Sequence, residues 1–99
     1  VAAFDEATLV GGLTAHVLPM TRAAGVELFI YDLAVAESHR RRGVGRAMLE
    51  FLQRQRPNDR VLGMFVFADA EDEDEAGAFY RACGGEATAA TMYSFRGRD

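Results

Sequence analysis

The sequence predicts an α/β domain in which helices pack on a mixed, mostly antiparallel sheet. Three observations lead there. Two dense apolar runs, Val26 to Ala36 (VELFIYDLAVA) and Val61 to Ala68 (VLGMFVFA), have the Val, Leu, Ile, Phe and Tyr content of sheet strands. Two other stretches, one from Val44 to Gln55 and one from Ala76 to Cys83, repeat apolar residues at helical spacing. A chain of 99 residues, 49% hydrophobic and 26% charged, has the composition of one soluble globular domain, and a second domain would need roughly 50 more residues.

The elements follow in order. Val1 to Phe4 and Leu9 to Leu18 are apolar strands joined by Asp5-Glu6-Ala7-Thr8, whose small and polar residues suit a tight hairpin turn. Pro19 ends the second strand, and Met20 to Gly25 is a loop. Val26 to Ala36 is apolar almost throughout, as expected of a central strand buried on both faces. Val44, Ala47, Met48, Phe51, Leu52 and Gln55 form the stripe of a first helix, with Arg46, Glu50, Arg54 and Arg56 opposite and Pro57 and Asn58-Asp59 as the stop. Val61 to Ala68 is the next buried strand. Ala76, Phe79, Tyr80 and Cys83 give a second helical stripe, closed by Gly84-Gly85. Glu86 to Arg96 reads as a final strand or hairpin. Val1 opens in mid-strand, which suggests a fragment of a longer domain.

No apolar stretch approaches the ~20 residues of a membrane-spanning helix, and no basic-then-apolar leader opens the sequence. Cys83 is the single cysteine, so no internal disulfide forms, and two isolated histidines give no zinc spacing. A reducing cytoplasm is the expected compartment. The net charge of −4 conceals an asymmetry. Six of the seven residues from Asp69 to Glu75 are acidic; the 15 acidic residues less these six leave nine, against 11 basic residues concentrated at Arg40, Arg41, Arg42 and Arg46. One small domain therefore carries two opposite electrostatic poles.

The basic pole sits where chemistry is expected. No Ser, Thr, Asp or Asn stands immediately before the helix that starts near Gly43, so its first N–H groups need another acceptor. With Gly43 and Gly45 permitting close backbone approach and four arginines adding charge, a phosphate or pyrophosphate fits that corner. A dinucleotide fingerprint would need a small residue where Met48 stands, and a P-loop would need Gly-Lys-Ser/Thr; neither is present. A purely structural turn would also explain the six-residue pattern taken alone.

The pattern Arg40-x-x-Gly43-x-Gly45 after an apolar strand resembles the acetyl-coenzyme A motif of GNAT-type N-acetyltransferases. IYDLAV (Ile30 to Val35), then ESHRRRGVGRAML, then ADAEDEDEAGAFYRACGG are similar in order and spacing to the aminoglycoside 3-N-acetyltransferases of that superfamily, and the opening AAFDEATLVGGLTAHVLP is similar too. The resemblance covers nearly the whole chain. It implies a GNAT-like fold lacking its N-terminal strand and two helices, and a domain, residues 1–99, that takes acetyl-CoA as cosubstrate.

The resemblance also implies roles. The strand at the coenzyme site splays from its neighbour in that family, so backbone groups of Leu33 and Val35 would bind the pantetheine arm, with the Leu33 N–H polarising the thioester carbonyl. Arg40 and the amides of Arg41, Arg42, Gly43, Val44, Gly45 and Arg46 would hold the pyrophosphate. Tyr80, four residues before Gly84, would contact the coenzyme sulfur and protonate the departing thiolate; it also completes the apolar stripe of its helix. Asp32, the one acid inside FIYDLAV, must see water or a cation because an unpaired buried carboxylate costs several kcal/mol. By resemblance it would contact or deprotonate the substrate amine, the alternative being a structural hydrogen bond. Asp69, Glu73 and Asp74 match acidic positions of the aminoglycoside-modifying relatives and would attract a polycationic amine, although acids also suit a helix N-terminus for its dipole alone. One extra residue in that run, and Glu75 where relatives show proline, separate this sequence from the family pattern. His39 and His16 are expected to be loop and sheet residues without a catalytic part, and Cys83 a small apolar residue, with no metal involved.

The expected activity is transfer of an acetyl group from acetyl-CoA to the 3-amino group of an aminoglycoside, by direct attack on the thioester, with antibiotic resistance as the consequence. Alternatives are another polyamine or small amine as acceptor, or a coenzyme A-binding module without turnover. Nucleic acid is disfavoured as a partner because the basic cluster is short and no aromatic platform accompanies it. Open strand edges suggest pairing with a second copy of the chain, a homodimer.

Overall fold

The computed structural model describes residues 1–22, 24–55, 61–68 and 73–97. They fall into two compact units, 1–68 and 69–99. The first is a four-stranded sheet with one helix. Its strands are β1 (Ala2–Asp5), β2 (Thr8–Pro19), β3 (Val26–Val35) and β4 (Val61–Val66), in that spatial order. β1, β2 and β3 form an antiparallel meander, and β4 joins β3 in parallel after a crossover through α1 (Val44–Arg54). The sheet is therefore mixed and mostly antiparallel.

The turn between β1 and β2 is as tight as its residues suggest. Asp5 pairs with Thr8, and Glu6 takes a left-handed conformation at φ 56°. Two irregularities bend the meander, one between Ala3 and Phe4 and one between Thr14 and Ala15. The second leaves Tyr31 as an extra residue on β3, because Thr14 pairs with Asp32 while Ala15 pairs with Ile30.

The core lies between the sheet and α1, where Val10, Leu13, Leu28, Ile30, Met48, Leu49 and Val61 are buried. Burial of such side chains contributes about 1.5–3 kcal/mol each. α1 buries Gly45, Met48 and Leu49 and half-buries Val44 and Leu52, whereas Ala47, Phe51 and Gln55 are exposed. This corrects the expected stripe by a rotation of the helix: the small Gly45 meets the sheet in place of Ala47. Arg46, Glu50 and Arg54 are on the exposed side, as their spacing requires.

β3 also departs from expectation. It is not buried on both faces: Leu28 and Ile30 are covered, but Tyr31, Asp32 and Ala34 are exposed. Its length and apolar content mimic a doubly covered parallel strand, yet it belongs to a meander with α1 on one face. The other face carries an aromatic cluster. Phe29 stacks on Phe65 at 5.0 Å and 14°, Phe67 meets both edge-on, and Tyr31 contacts Phe29 and His16. In β4 Val61 is buried, Leu62 is exposed and the residues from Gly63 to Val66 are half-buried; the strand stops at Val66, before Phe67 and Ala68.

The second unit holds a π-type turn (Glu73–Gly77) running into α2 (Ala78–Ala82). Gly84–Gly85 closes α2 as foreseen. Gly84, at φ 95°, sends its N–H to Arg81 O (3.0 Å), and Gly85 sends its own to Tyr80 O (2.9 Å), the paired bonds of a Schellman cap. The expected final strand over Glu86 to Arg96 is absent: residues 85–97 have no regular secondary structure. A strand needs a neighbour for its alternate N–H and C=O groups, and no described strand pairs with these residues. Met92, Tyr93 and Phe95 stay exposed. The stop residues Pro57, Asn58 and Asp59, with Arg56 before them, lie outside the described residues.

Candidate functional site: an open strand edge beside an uncapped helix

The register of the sheet determines which way the end of β3 points. Ala36 N–H donates to Val10 O (2.7 Å), and Leu13 N–H, on the strand between, donates away from β3 to Val1 O (2.9 Å). Along a strand the backbone groups alternate between its two edges. Ala34 and Ala36 therefore direct their N–H and C=O groups to β2, while Leu33 and Val35, opposite Leu13 and Gly11, direct theirs to the other edge. That edge belongs to β4 only as far as the pair Ile30 and Val66. Beyond it, no described residue pairs with Tyr31–Val35 on that side, so Leu33 and Val35 present peptide groups to an open edge. The local cause is length: β3 runs on past the point where β4 ends.

The chain then turns into α1. A 3₁₀ turn (Glu37–His39) leads to Arg40, and Arg40 Nε donates to Val35 O at 3.2 Å. One of the peptide oxygens at the open edge is thus already held by an arginine side chain. Arg41 sits at φ 63° and Gly43, the residue before α1, at φ 82°. Arg41 in the left-handed region costs about 1–2 kcal/mol, whereas glycine avoids that penalty.

No side chain caps α1, and no acidic residue lies in its first turn. Its opening N–H groups are left with the partial positive charge of the helix dipole. A Cβ built on Gly43 meets nothing within 4 Å, so the space over that corner is open. Gly11 of β2 lies beneath: a Cβ there would come within 3.1 Å of both Met48 Cε and Val44 Cγ1, and glycine lets the start of α1 sit close to the sheet. Arg40, Arg41 and Arg42 are exposed, and Arg46 spends part of its charge on Glu50 one turn later, Nε to Oε1 at 3.1 Å. An anion meeting this corner finds peptide donors, a helix terminus and three arginines.

The other expected site residues sort by unit. Asp32 is exposed on β3 beside the bulge, paired in register with Thr14 and next to Tyr31. Tyr80 is half-buried on α2, its ring 5.1 Å from that of Phe79. Asp74 is exposed in the π-type turn and Glu73 opens that turn; Asp69 lies outside the described residues. Cys83 is half-buried at the end of α2, and His16 lies edge-on to Tyr31 at 5.9 Å. His39 lies in the 3₁₀ turn between β3 and α1, where its Nε2 is 2.9 Å from Asp5 Oδ2 and its Nδ1 2.8 Å from Ser38 Oγ. Asp5 is 34 residues away in sequence, and no local pattern announces that contact.

The sequence profile of the acetyltransferase (GNAT) domain matches residues 1–84. The chain belongs to that family. GNAT acetyltransferases use acetyl-CoA as acetyl donor. No curated protein sequence matches the chain. Among solved structures, this GNAT domain is similar to the aminoglycoside acetyltransferase HMB0005 from an uncultured soil metagenomic sample: identity 33%, TM-score 0.87, covering 98% of this chain and 64% of that one. It is also similar to the aminoglycoside acetyltransferase meta-AAC0020, from an uncultured soil metagenomic sample and in complex with sisomicin: identity 30%, TM-score 0.84, covering 97% of this chain and 64% of that one. The aminoglycoside N-acetyltransferase AAC(6')-Iy in complex with CoA shares the fold at 20% identity and TM-score 0.77, over 90% of this chain and 60% of that one. The chain thus spans less than two thirds of the length of these relatives. Among the described residues no helix is long and apolar enough to cross a membrane.

Proposed function

We propose that this GNAT domain transfers the acetyl group of acetyl-CoA to a primary amine of a polycationic acceptor, an aminoglycoside at its 3-amino group. The observation that carries the reading is the adjacency of two features at one corner: the edge of β3 at Leu33 and Val35, which no described strand pairs, and the uncapped start of α1 with Arg40, Arg41 and Arg42 around it. A pantetheine arm is an extended chain with two amides, and an open strand edge offers it the peptide partners of a missing strand. Its diphosphate matches an uncapped helix terminus in charge and in hydrogen-bonding sense.

The chemistry asks four things of the chain. The amine nitrogen attacks the thioester carbonyl, a carbon–nitrogen bond forms, the carbon–sulfur bond breaks, and one proton leaves nitrogen while one reaches sulfur. In this reading the Leu33 N–H donates to the carbonyl oxygen as it gains charge, which is worth most when the donor is already fixed in place. Asp32, exposed on β3, accepts the amine proton directly or through water. Tyr80 donates its hydroxyl proton to the thiolate. Asp69, Glu73 and Asp74 belong to an acidic run that favours cationic acceptors over neutral ones. The aminoglycoside assignment is supported by similarity to two aminoglycoside acetyltransferases at 30 and 33% identity.

A coenzyme A titration by calorimetry, followed by steady-state acetylation of sisomicin, spermidine and a neutral primary amine, tests the reading. Micromolar coenzyme binding with sisomicin as the best acceptor is expected. Coenzyme binding without any acetylated product would leave a binding module, and preference for the neutral amine would remove the role given to the acidic run.

A further inference from the structure

We propose that His39 and Asp5 are a positioning pair that holds the Arg40–Gly43 turn in the shape the coenzyme diphosphate requires; this rests on the acetyl-CoA reading above. The turn between β3 and α1 is a segment that does not hold itself. Its backbone bonds are His39 N–H to Ala36 O (2.8 Å), Arg40 N–H to Glu37 O at a long 3.4 Å and, where it enters α1, Ala47 N–H to Gly43 O (2.9 Å); none of them spans Arg41 and Arg42 to the sheet. Arg41 and Gly43 both stand at positive φ, and a non-glycine residue there persists only where its surroundings fix it.

The surroundings supply three ties. Ala36 N–H reaches Val10 O, Arg40 Nε reaches Val35 O, and His39 Nε2 reaches Asp5 Oδ2. The first two bind the turn to the sheet at its own base. The third alone ties it to the tip of the β1–β2 hairpin, where Asp5 closes β1 opposite Thr8. The His39 side chain is only 20% exposed, so its ring is laid against the protein.

Proton bookkeeping gives the tie its character. An ionised carboxylate only accepts, so His39 Nε2 carries the hydrogen toward Asp5. In the neutral ring Nδ1 then accepts from the Ser38 hydroxyl; with a second proton, Nδ1–H donates to the Ser38 oxygen instead. Because the hydroxyl rotates to serve either role, Ser38–His39–Asp5 stays bonded in both states. The arrangement is a permanent brace on the anion corner, and neither residue is asked to touch a reacting atom.

A double-mutant cycle tests this, with His39→Leu, Asp5→Ala, both together, and His39→Gln, whose side-chain amide keeps an N–H for the carboxylate. Each single substitution is expected to raise the dissociation constant for coenzyme A about threefold, in the range of a partly exposed ion pair. The double variant should lose no more than either single one, and His39→Gln should recover part of the loss. KM for acetyl-CoA should rise with it while KM for the acceptor does not, and amide hydrogen exchange over residues 37–43 should quicken in the single variants. Coenzyme binding that is the same in all four variants, or single effects that simply add in the double variant, would overturn the brace alone. Failure of the unsubstituted protein to bind coenzyme A would overturn the acetyl-CoA reading and, with it, the purpose of the brace.

Discussion

Met48 of α1 and Gly11 of β2 meet so closely that a Cβ on the glycine would lie 3.1 Å from the Met48 methyl, with Ala34 O 3.3 Å away. The flexible methionine end could move, but the backbone oxygen and Val44 could not both do so. Gly11→Val adds branched methyls into this contact and should destabilise the protein by about 1–3 kcal/mol, read from urea unfolding. Because Val44 begins α1, the same variant should also weaken coenzyme A binding, which a distant core substitution of equal cost would not do.

The turn that carries the basic residues depends on one glycine for its conformation. Space is not the constraint at Gly43, since a Cβ there meets nothing within 4 Å, but φ 82° is. Gly43→Ala should therefore cost about 1 kcal/mol or somewhat more by thermal or urea unfolding. If the cost were nil, the left-handed conformation before α1 would be refuted.

Two glycines close α2 for two different reasons. Gly84 needs its positive φ, while a Cβ on Gly85 would come within 3.0 Å of Tyr80 O. Gly85→Val forces the last turn of α2 to open and shifts the residue given the acid role, so kcat should fall at least as far as stability. Tyr80→Phe, which keeps the ring beside Phe79 and removes only the hydroxyl, should lower kcat about 10²-fold.

Charge at the anion corner should show in its salt dependence. Arg42 is exposed, with no hydrogen bond or ion pair given to its side chain among the described residues. Arg42→Gln should raise the coenzyme A dissociation constant about two- to fivefold at low salt, and the difference should shrink at 0.5 M salt, where the screening length falls well below ~10 Å. Arg46→Gln should have the smaller effect, since Glu50 already shares its charge.

Local patterns in the sequence settled the order of strands and helices as far as α2, the hairpin at Asp5–Thr8, the glycine closure of α2 and the uncapped start of α1, because each is decided by residues within a few positions of one another. Orientation needed the folded chain. Whether Leu33 and Val35 turn their peptide groups outward depends on register across two strand pairs and on where β4 stops. Which face of α1 is buried depended on the close approach at Gly11, and so the stripe read from spacing was rotated from the one observed. The apolar run of β3 could not reveal that one of its faces is exposed, and residues 86–96 by themselves could not supply a partner strand. The bond from His39 to Asp5 joins two ordinary loop residues far apart in the chain. Periodicity records what a segment prefers; only packing decides which neighbour satisfies it.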